Sequence, residues 1–317
     1  MNRILITTSS FDLENNDPIS HLRQAGCEIV LNPHGRRLSE AEVSELLSGG
    51  FVGMIAGVEP LTRAVIEAAA SLKIISRCGV GLDSVDLDAA ATRDIKVYNT
   101  PGAPVSAVAE LTIGLMLNLL RRVSQSDRNL RDGKWKQLMG NLLAFQTVGI
   151  VGFGRIGRKV AELAHAFGSK ILVHDPASVI IPEYCRAVNL EGLLAESDMV
   201  SLHLPFLPEL RHFIGRAQFG RMKRGAFLLN VARGGLVDEA ALLDALQAGH
   251  LAGAALDTFE EEPYNGPLRA LPQVLLTAHM GSYAKESRIQ MEHEAAQNLL
   301  SGLQLLGIIP AAIASAN

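Results

Sequence analysis

The chain has 317 residues, 48% of them hydrophobic and only 20% charged, which is enough apolar material for two α/β cores. A formal net charge of −4 carries neither a basic footprint for nucleic acid nor a polybasic patch for an anionic membrane. Cys27, Cys78 and Cys185 are too few and too scattered for a disulfide framework or a zinc pair, and no apolar run spans a bilayer. The expectation is a cytoplasmic protein with reduced thiols, partnered by neither nucleic acid nor membrane.

From the N-terminus, short β-rich apolar runs alternate with helical segments, the pattern of a parallel sheet covered by helices. Strands are predicted at 4–7, 28–31, 53–55, 73–76 and 97–99, with helices at 19–25, 40–47 and 63–70. Asp83 and Asp86 stand where they can cap a further helix. The Pro/Gly-bearing residues 100–104 break the pattern, and a long apolar helix follows over 105–122. Trp135 reads as a packing residue, with a place at a subunit contact. A second alternation begins at Thr147. Its strands are predicted at 148–151, 170–174, 199–202, 226–230, 254–256 and 274–276, and its helices at 156–166, 190–195, 217–222 and 239–248. An amphipathic helix over 285–305 closes the pattern. Two α/β units of unequal character follow, divided near residues 99–105.

The sharpest local signal is Gly152-Phe-Gly154-Arg155-Ile156-Gly157, which leaves one predicted strand and opens a helix. A second strand then ends on Asp175. That is the βαβ context a dinucleotide needs: Gly152 for the tight turn, Gly154 for close approach of a pyrophosphate, Gly157 for helix–strand packing. The helix N-terminus offers free N–H groups and partial positive charge. Asp175 can accept hydrogen bonds from ribose hydroxyls and would repel a 2′-phosphate, which favours NAD over NADP.

Three polar residues follow later strands of the same unit. Arg233, in Asn-Val-Ala-Arg-Gly-Gly, can clamp a carboxylate through two parallel hydrogen bonds. His279 can exchange a proton near neutral pH, and Glu262 can orient the imidazole and stabilise its protonated form. By chemistry Glu260 and Glu261 compete with Glu262. His203 reads as structural or adjacent to the cofactor, and His165, His174 and His212 as packing or surface residues.

In order along the chain, the motifs Arg77-Cys-Gly-Val-Gly-Leu-Asp83, Gly152–Gly157 with Asp175, SLHLP, NVARGG, LDTFEEEP and TAHMGS resemble the D-isomer-specific 2-hydroxyacid dehydrogenases. The likeness covers nearly the whole chain and is closest to phosphoglycerate dehydrogenase-like members without a regulatory domain. It implies two doubly wound parallel-sheet domains, Rossmann-like and flavodoxin-like, with an active-site cleft between them. The substrate-binding domain would be 1–99 plus 285–317, and the NAD-binding domain 100–284, with hinges at 100–104 and 281–284.

The resemblance also implies a catalytic set of Arg233, Glu262 and His279, with Glu262 singled out from Glu260 and Glu261 by the Pro263 that follows it. NAD would contact Gly152, Gly154, Arg155, Ile156, Gly157, Asp175, Val231 and Asp257, the last near the nicotinamide. The acid would contact Arg77, Cys78, Gly79, Arg233 and His279. No metal is expected, and a homodimer is. The activity implied is NAD-dependent hydride transfer at the alpha carbon of a small D-2-hydroxy acid, with 3-phosphoglycerate a candidate. Two features depart from a phosphoglycerate enzyme: residues 56–60 lack an arginine, where Glu59 would repel a phosphate, and the chain stops at 317. The alternatives are a glyoxylate or hydroxypyruvate reductase and, in another class, an NAD-sensing corepressor-like binding protein.

Overall fold

The computed structural model describes residues 1–9, 11–177 and 180–310. They form two compact units, Met1–Pro104 with the segment from Ala284, and Val105–Tyr283. Residues 100–104 go with the first unit, where the Thr100 hydroxyl accepts a hydrogen bond from the Gly79 amide at 2.8 Å.

The first unit runs β1 (Asn2–Ile6), α1 (Asp17–Gln24), β2 (Cys27–Leu31), α2 (Glu40–Leu47), β3 (Gly53–Ala56), α3 (Arg63–Ala68), β4 (Ile74–Arg77), α4 (Leu87–Thr92) and β5 (Lys96–Tyr98). The strands are parallel in the order β2-β1-β3-β4-β5, so the winding reverses between β1 and β3. Its helices start on side chains suited to the task. Ser39 and Glu42 form a capping box on α2, Thr62 caps α3 and Asp86 caps α4, each cap contributing about 1 kcal/mol. The chain's last helix, Lys285–Leu305, returns to this unit and buries Met291, Ala295, Ala296, Leu299, Leu300 and Leu303 against Ile4, Ile6, Ile55 and Ile74.

The second unit comprises α5 (Val105–Arg121), α6 (Val123–Arg131), β6 (Thr147–Val151), α7 (Arg155–Ala166), β7 (Lys170–His174), β8 (Cys185–Ala187), α8 (Leu190–Glu196), β9 (Met199–Leu202), α9 (Arg216–Arg221), β10 (Phe227–Asn230), α10 (Glu239–Gln247), β11 (Gly253–Leu256) and β12 (Val274–Leu276). Its parallel sheet has the order β12-β11-β10-β9-β6-β7-β8, and its winding reverses between β6 and β9. The central strands are buried on both faces, which is why they read as unbroken apolar runs. Layers of Ile, Leu, Val and Ala cover them on either side.

Two elements were not foreseen. Helix α6 buries none of its residues, so it has no apolar stripe to betray it. Strand β8 is a three-residue edge strand with exposed Arg186 and Ala187. Trp135 also departs from expectation: at 88% exposure it packs no core in this chain.

Candidate active site

In the second unit β6 runs out at Val151 into Gly152, whose φ of +92° puts it in the left-handed region. A Cβ there would stand 2.7 Å from the His203 backbone, and one at Gly157 would stand 2.1 Å from the Gly152 carbonyl oxygen. Neither contact is tolerable, so both glycines are required by the packing of α7 on β6. Gly154 is different: it begins α7 with no capping side chain, and a Cβ there would point into open space. The uncapped amides of a twelve-residue helix therefore face an unblocked loop.

Asp175 follows β7, its Oδ2 accepting from the Phe153 amide and its Oδ1 from the Ala177 amide. Each oxygen keeps a second lone pair. Arg155 is exposed and Ile156 half-buried on the first turn. These residues fit the pyrophosphate and ribose of a dinucleotide.

The next loops come from β10, β11 and β12. Asn230, fully buried at the end of β10, accepts from the Ala232 amide at 3.1 Å and donates to the Arg233 carbonyl at 2.8 Å. This local staple fixes the turn that presents Arg233, whose Nη1 donates to Ala232 O at 2.7 Å. Val231 packs its side chain into the core, leaving its backbone to meet a ligand. A Cβ on Gly234 would lie 1.8 Å from the Phe259 carbonyl carbon, so the loops after β10 and β11 touch backbone to backbone.

His279 follows β12. Its Nδ1 lies 2.9 Å from Glu262 Oε2 and 3.2 Å from Oε1, leaving Nε2 for proton exchange. Glu262 Oε1 also accepts from the Phe259 amide at 3.2 Å, and a cis peptide joins Glu262 to Pro263. His279 has φ +49°, a conformation costing about 1–3 kcal/mol in a residue with a Cβ. Asp257 holds that turn. Its carboxylate, in a residue 1% exposed, accepts from Thr277 Oγ1 at 2.6 Å, Met280 N at 2.9 Å and Gly281 N at 2.8 Å. Both Asp257 oxygens are thus turned into the His279 loop.

His203, after β9, hydrogen-bonds Ser201 Oγ through Nε2 at 2.9 Å, and its carbonyl packs on Gly152. Burial keeps its imidazole neutral, its pKa pushed down to about 3. The sequence reading missed Asn230 and Thr277 as positioning side chains; a polar residue closing an apolar strand was the available signal. His212, read as a packing or surface residue, is partly exposed and has its Nε2 2.9 Å from Glu260 Oε2.

Arg77, Cys78 and Gly79 belong to the first unit, at the carboxyl end of β4. Cys78 is buried among apolar side chains, and burial pushes its thiol up to about 11, so only its backbone is available to a ligand. Gly79 has φ +147° and its amide is bound to Thr100. The Arg77 guanidinium donates to the Cys78 carbonyl. Glu59, the residue read as one that would repel a phosphate, is 1% exposed, with Oε1 accepting from the Thr7 hydroxyl and the Gly57 amide beside the ends of β1 and β3.

A cavity of about 720 Å³ opens elsewhere in the second unit, lined by Thr147, Lys170, Cys185 and Arg186 at the starts of β6, β7 and β8. It is at the opposite edge of the sheet from the residues above. Ligands of open α/β sheets bind outside the carboxyl ends of the strands, at the reversal of winding, and that is where Gly152 and His203 stand.

Residues 113–281 match the family described as D-isomer specific 2-hydroxyacid dehydrogenase, NAD binding domain. The chain belongs to that family. It is 36% identical over 299 residues to a hydroxypyruvate reductase of Thermotoga maritima, covering 91% of this chain and 97% of the relative. It is 39% identical over 298 residues to a D-3-phosphoglycerate dehydrogenase of Methanocaldococcus jannaschii, covering 91% of this chain but 55% of the relative, so it spans about half that protein's length. A solved glyoxylate reductase of Paecilomyes thermophila superposes with a TM-score of 0.86 at 31% identity, over 96% of each chain. The family is one of NAD-dependent oxidoreductases, and the second unit carries its NAD-binding domain. Among the described residues no helix is long and apolar enough to cross a membrane, and no cluster of ligating side chains suits a metal ion.

Proposed function

We propose that this member of the family moves a hydride between NAD and the alpha carbon of a small D-2-hydroxy acid or its 2-keto partner. The observation that carries the reading is the His279–Glu262 pair, held on a turn that Asp257 fixes, beside the loop that presents Arg233. When bound, the nicotinamide supplies or accepts the hydride. Arg233 would hold the substrate carboxylate bidentately and draw charge from its carbonyl. His279 would give a proton from Nε2 to the carbonyl oxygen in reduction and take it back in oxidation. Glu262, on Nδ1, would keep the imidazole oriented and its cation stabilised.

The α7 N-terminus, with Gly152, Gly154, Arg155, Ile156 and Gly157, would hold the pyrophosphate; Asp175 would hold the adenosine ribose. Arg77 and the backbone at Cys78 and Gly79 are assigned to the acid by family resemblance. Hydroxypyruvate, glyoxylate and 3-phosphoglycerate all remain substrate candidates, because the named relatives act on each.

A cytoplasmic homodimer belongs to the same proposal. Trp135, Met139, Leu142 and Phe145 expose 88, 89, 56 and 82% of their surface in a short stretch of the second unit, apolar exposure that a second copy would relieve.

The test follows NADH absorbance with hydroxypyruvate, glyoxylate, pyruvate and phosphohydroxypyruvate. Rapid oxidation with one acid, lowered by a factor on the order of 10² or more in His279→Ala, is the expected result. Binding of NADH with no turnover of any of these acids would turn the reading toward a sensor.

A further inference from the structure

Behind Arg233 and Glu262 lies a second cluster of charged side chains. Glu260 Oε2 lies 2.9 Å from Arg211 Nη2 and 2.9 Å from His212 Nε2. Its Oε1 accepts from the Glu239 amide at 3.3 Å, while its own amide donates to Glu239 Oε1 at 2.7 Å. The Glu260 side chain is 25% exposed, and burial raises the pKa of Glu239 above its ordinary value.

Three segments converge on this carboxylate. Residues 211–212 reach it from beyond β9, and His212 does so from a left-handed φ of +54° while its amide donates to the Gly235 carbonyl at 2.8 Å. Glu239 begins α10, at the end of the Arg233 loop. Glu260 itself is two residues from Glu262. Phe259, beside it, touches both ends of the site: its carbonyl carbon packs on Gly234, and its amide donates to Glu262.

We infer that Glu260 is a positioning residue, a clasp that fixes the Glu262 loop against the Arg233 loop so that carboxylate, imidazole and guanidinium keep their spacing. The assignment rests on the reading that these three groups do the chemistry. Glu260 touches none of the reacting atoms in that reading. Loosening the clasp leaves every site residue present but lets Glu262 drift from His279, and misplacement of about 1 Å costs on the order of 10²-fold in rate.

The experiment compares Glu260→Ala and Glu260→Gln with Asp244→Ala, which breaks an ion pair with Arg216 elsewhere on α10. All are assayed well below their melting temperatures, with His279→Ala alongside. The expected result for Glu260→Ala is a kcat lowered about 10- to 100-fold. KM for the acid and the Kd for NADH should stay within about twofold, because the clasp acts on geometry at the reacting centre and not on ground-state binding. Glu260→Gln should recover part of the loss, since its amide oxygen still accepts from the Glu239 amide, and Asp244→Ala should run at the parent rate. Parent kcat in Glu260→Ala, or a loss that follows melting temperature equally in Asp244→Ala, would overturn the inference. Full turnover in His279→Ala would overturn the reading of the site beneath it, and the clasp with it.

Discussion

His203 follows β9 and His279 follows β12, both beyond the carboxyl ends of one parallel sheet, yet they sit in opposite settings. His279 is 45% exposed on its side chain and bound to a carboxylate; His203 is held neutral by burial, its pKa near 3 against an ordinary 6.5. The folded chain refuses at His203 a proton that the unfolded chain accepts below pH 6.5. Its contribution to stability is therefore whole above that pH and is lost as pH falls toward 3. In urea denaturation at pH 7 and pH 5, the parent should lose about 1–2 kcal/mol more than His203→Asn, which has no such group to titrate. Equal losses in the two proteins would show that His203 is not the group responsible.

At the scale of elements, the site is a set of loops whose contacts decide its shape. Gly234→Ala makes the point by magnitude. Where an added methyl has room, replacing glycine with alanine stabilises by about 0.4–1 kcal/mol through the unfolded chain. Here the methyl would enter the Phe259 backbone, and overpacking costs about 1–3 kcal/mol or more. The overpacking term wins. Gly234→Ala should melt lower than the parent and lose turnover as the Arg233 and Glu262 loops part; calorimetry and the NADH assay check both, and a variant equal to the parent in each would contradict the packing.

Elements were legible where apolar period and capping chemistry agreed. Strands β7, β9 and β12 and helix α2 fall where the sequence places them, because buried parallel strands are plain apolar runs and Ser39 with Glu42 marks a helix start. Helix α6 and strand β8 were not legible, since neither buries a continuous apolar face. At the site, residue types and order pointed to Arg233, Glu262 and His279, but nothing in the spacing tells that Asp257 turns both oxygens into the His279 loop. Glu260 was one of three adjacent glutamates; its partners Arg211 and His212 lie 48–49 residues away, a distance that local patterns do not cross.

At the scale of the whole molecule, the two units solve the same problem twice, each with a parallel sheet that reverses its winding near the middle. The second unit carries the exposed apolar stretch from Trp135 to Phe145. If a second copy covers it, the double substitution Trp135→Glu with Phe145→Glu shifts the sedimenting species from dimer to monomer at micromolar concentration. A parent that already sediments as a monomer would remove that part of the proposal.

The central claim, hydride transfer to an alpha carbon, is tested most directly by reducing hydroxypyruvate with NADH deuterated at the transferable C4 position and reading the product by NMR and chiral chromatography. With hydroxypyruvate as the acid turned over, the account predicts D-glycerate with one deuterium on C2, formed more slowly by His279→Ala than by the parent, by a factor on the order of 10² or more. Product without deuterium on C2, or of the L configuration, would contradict it.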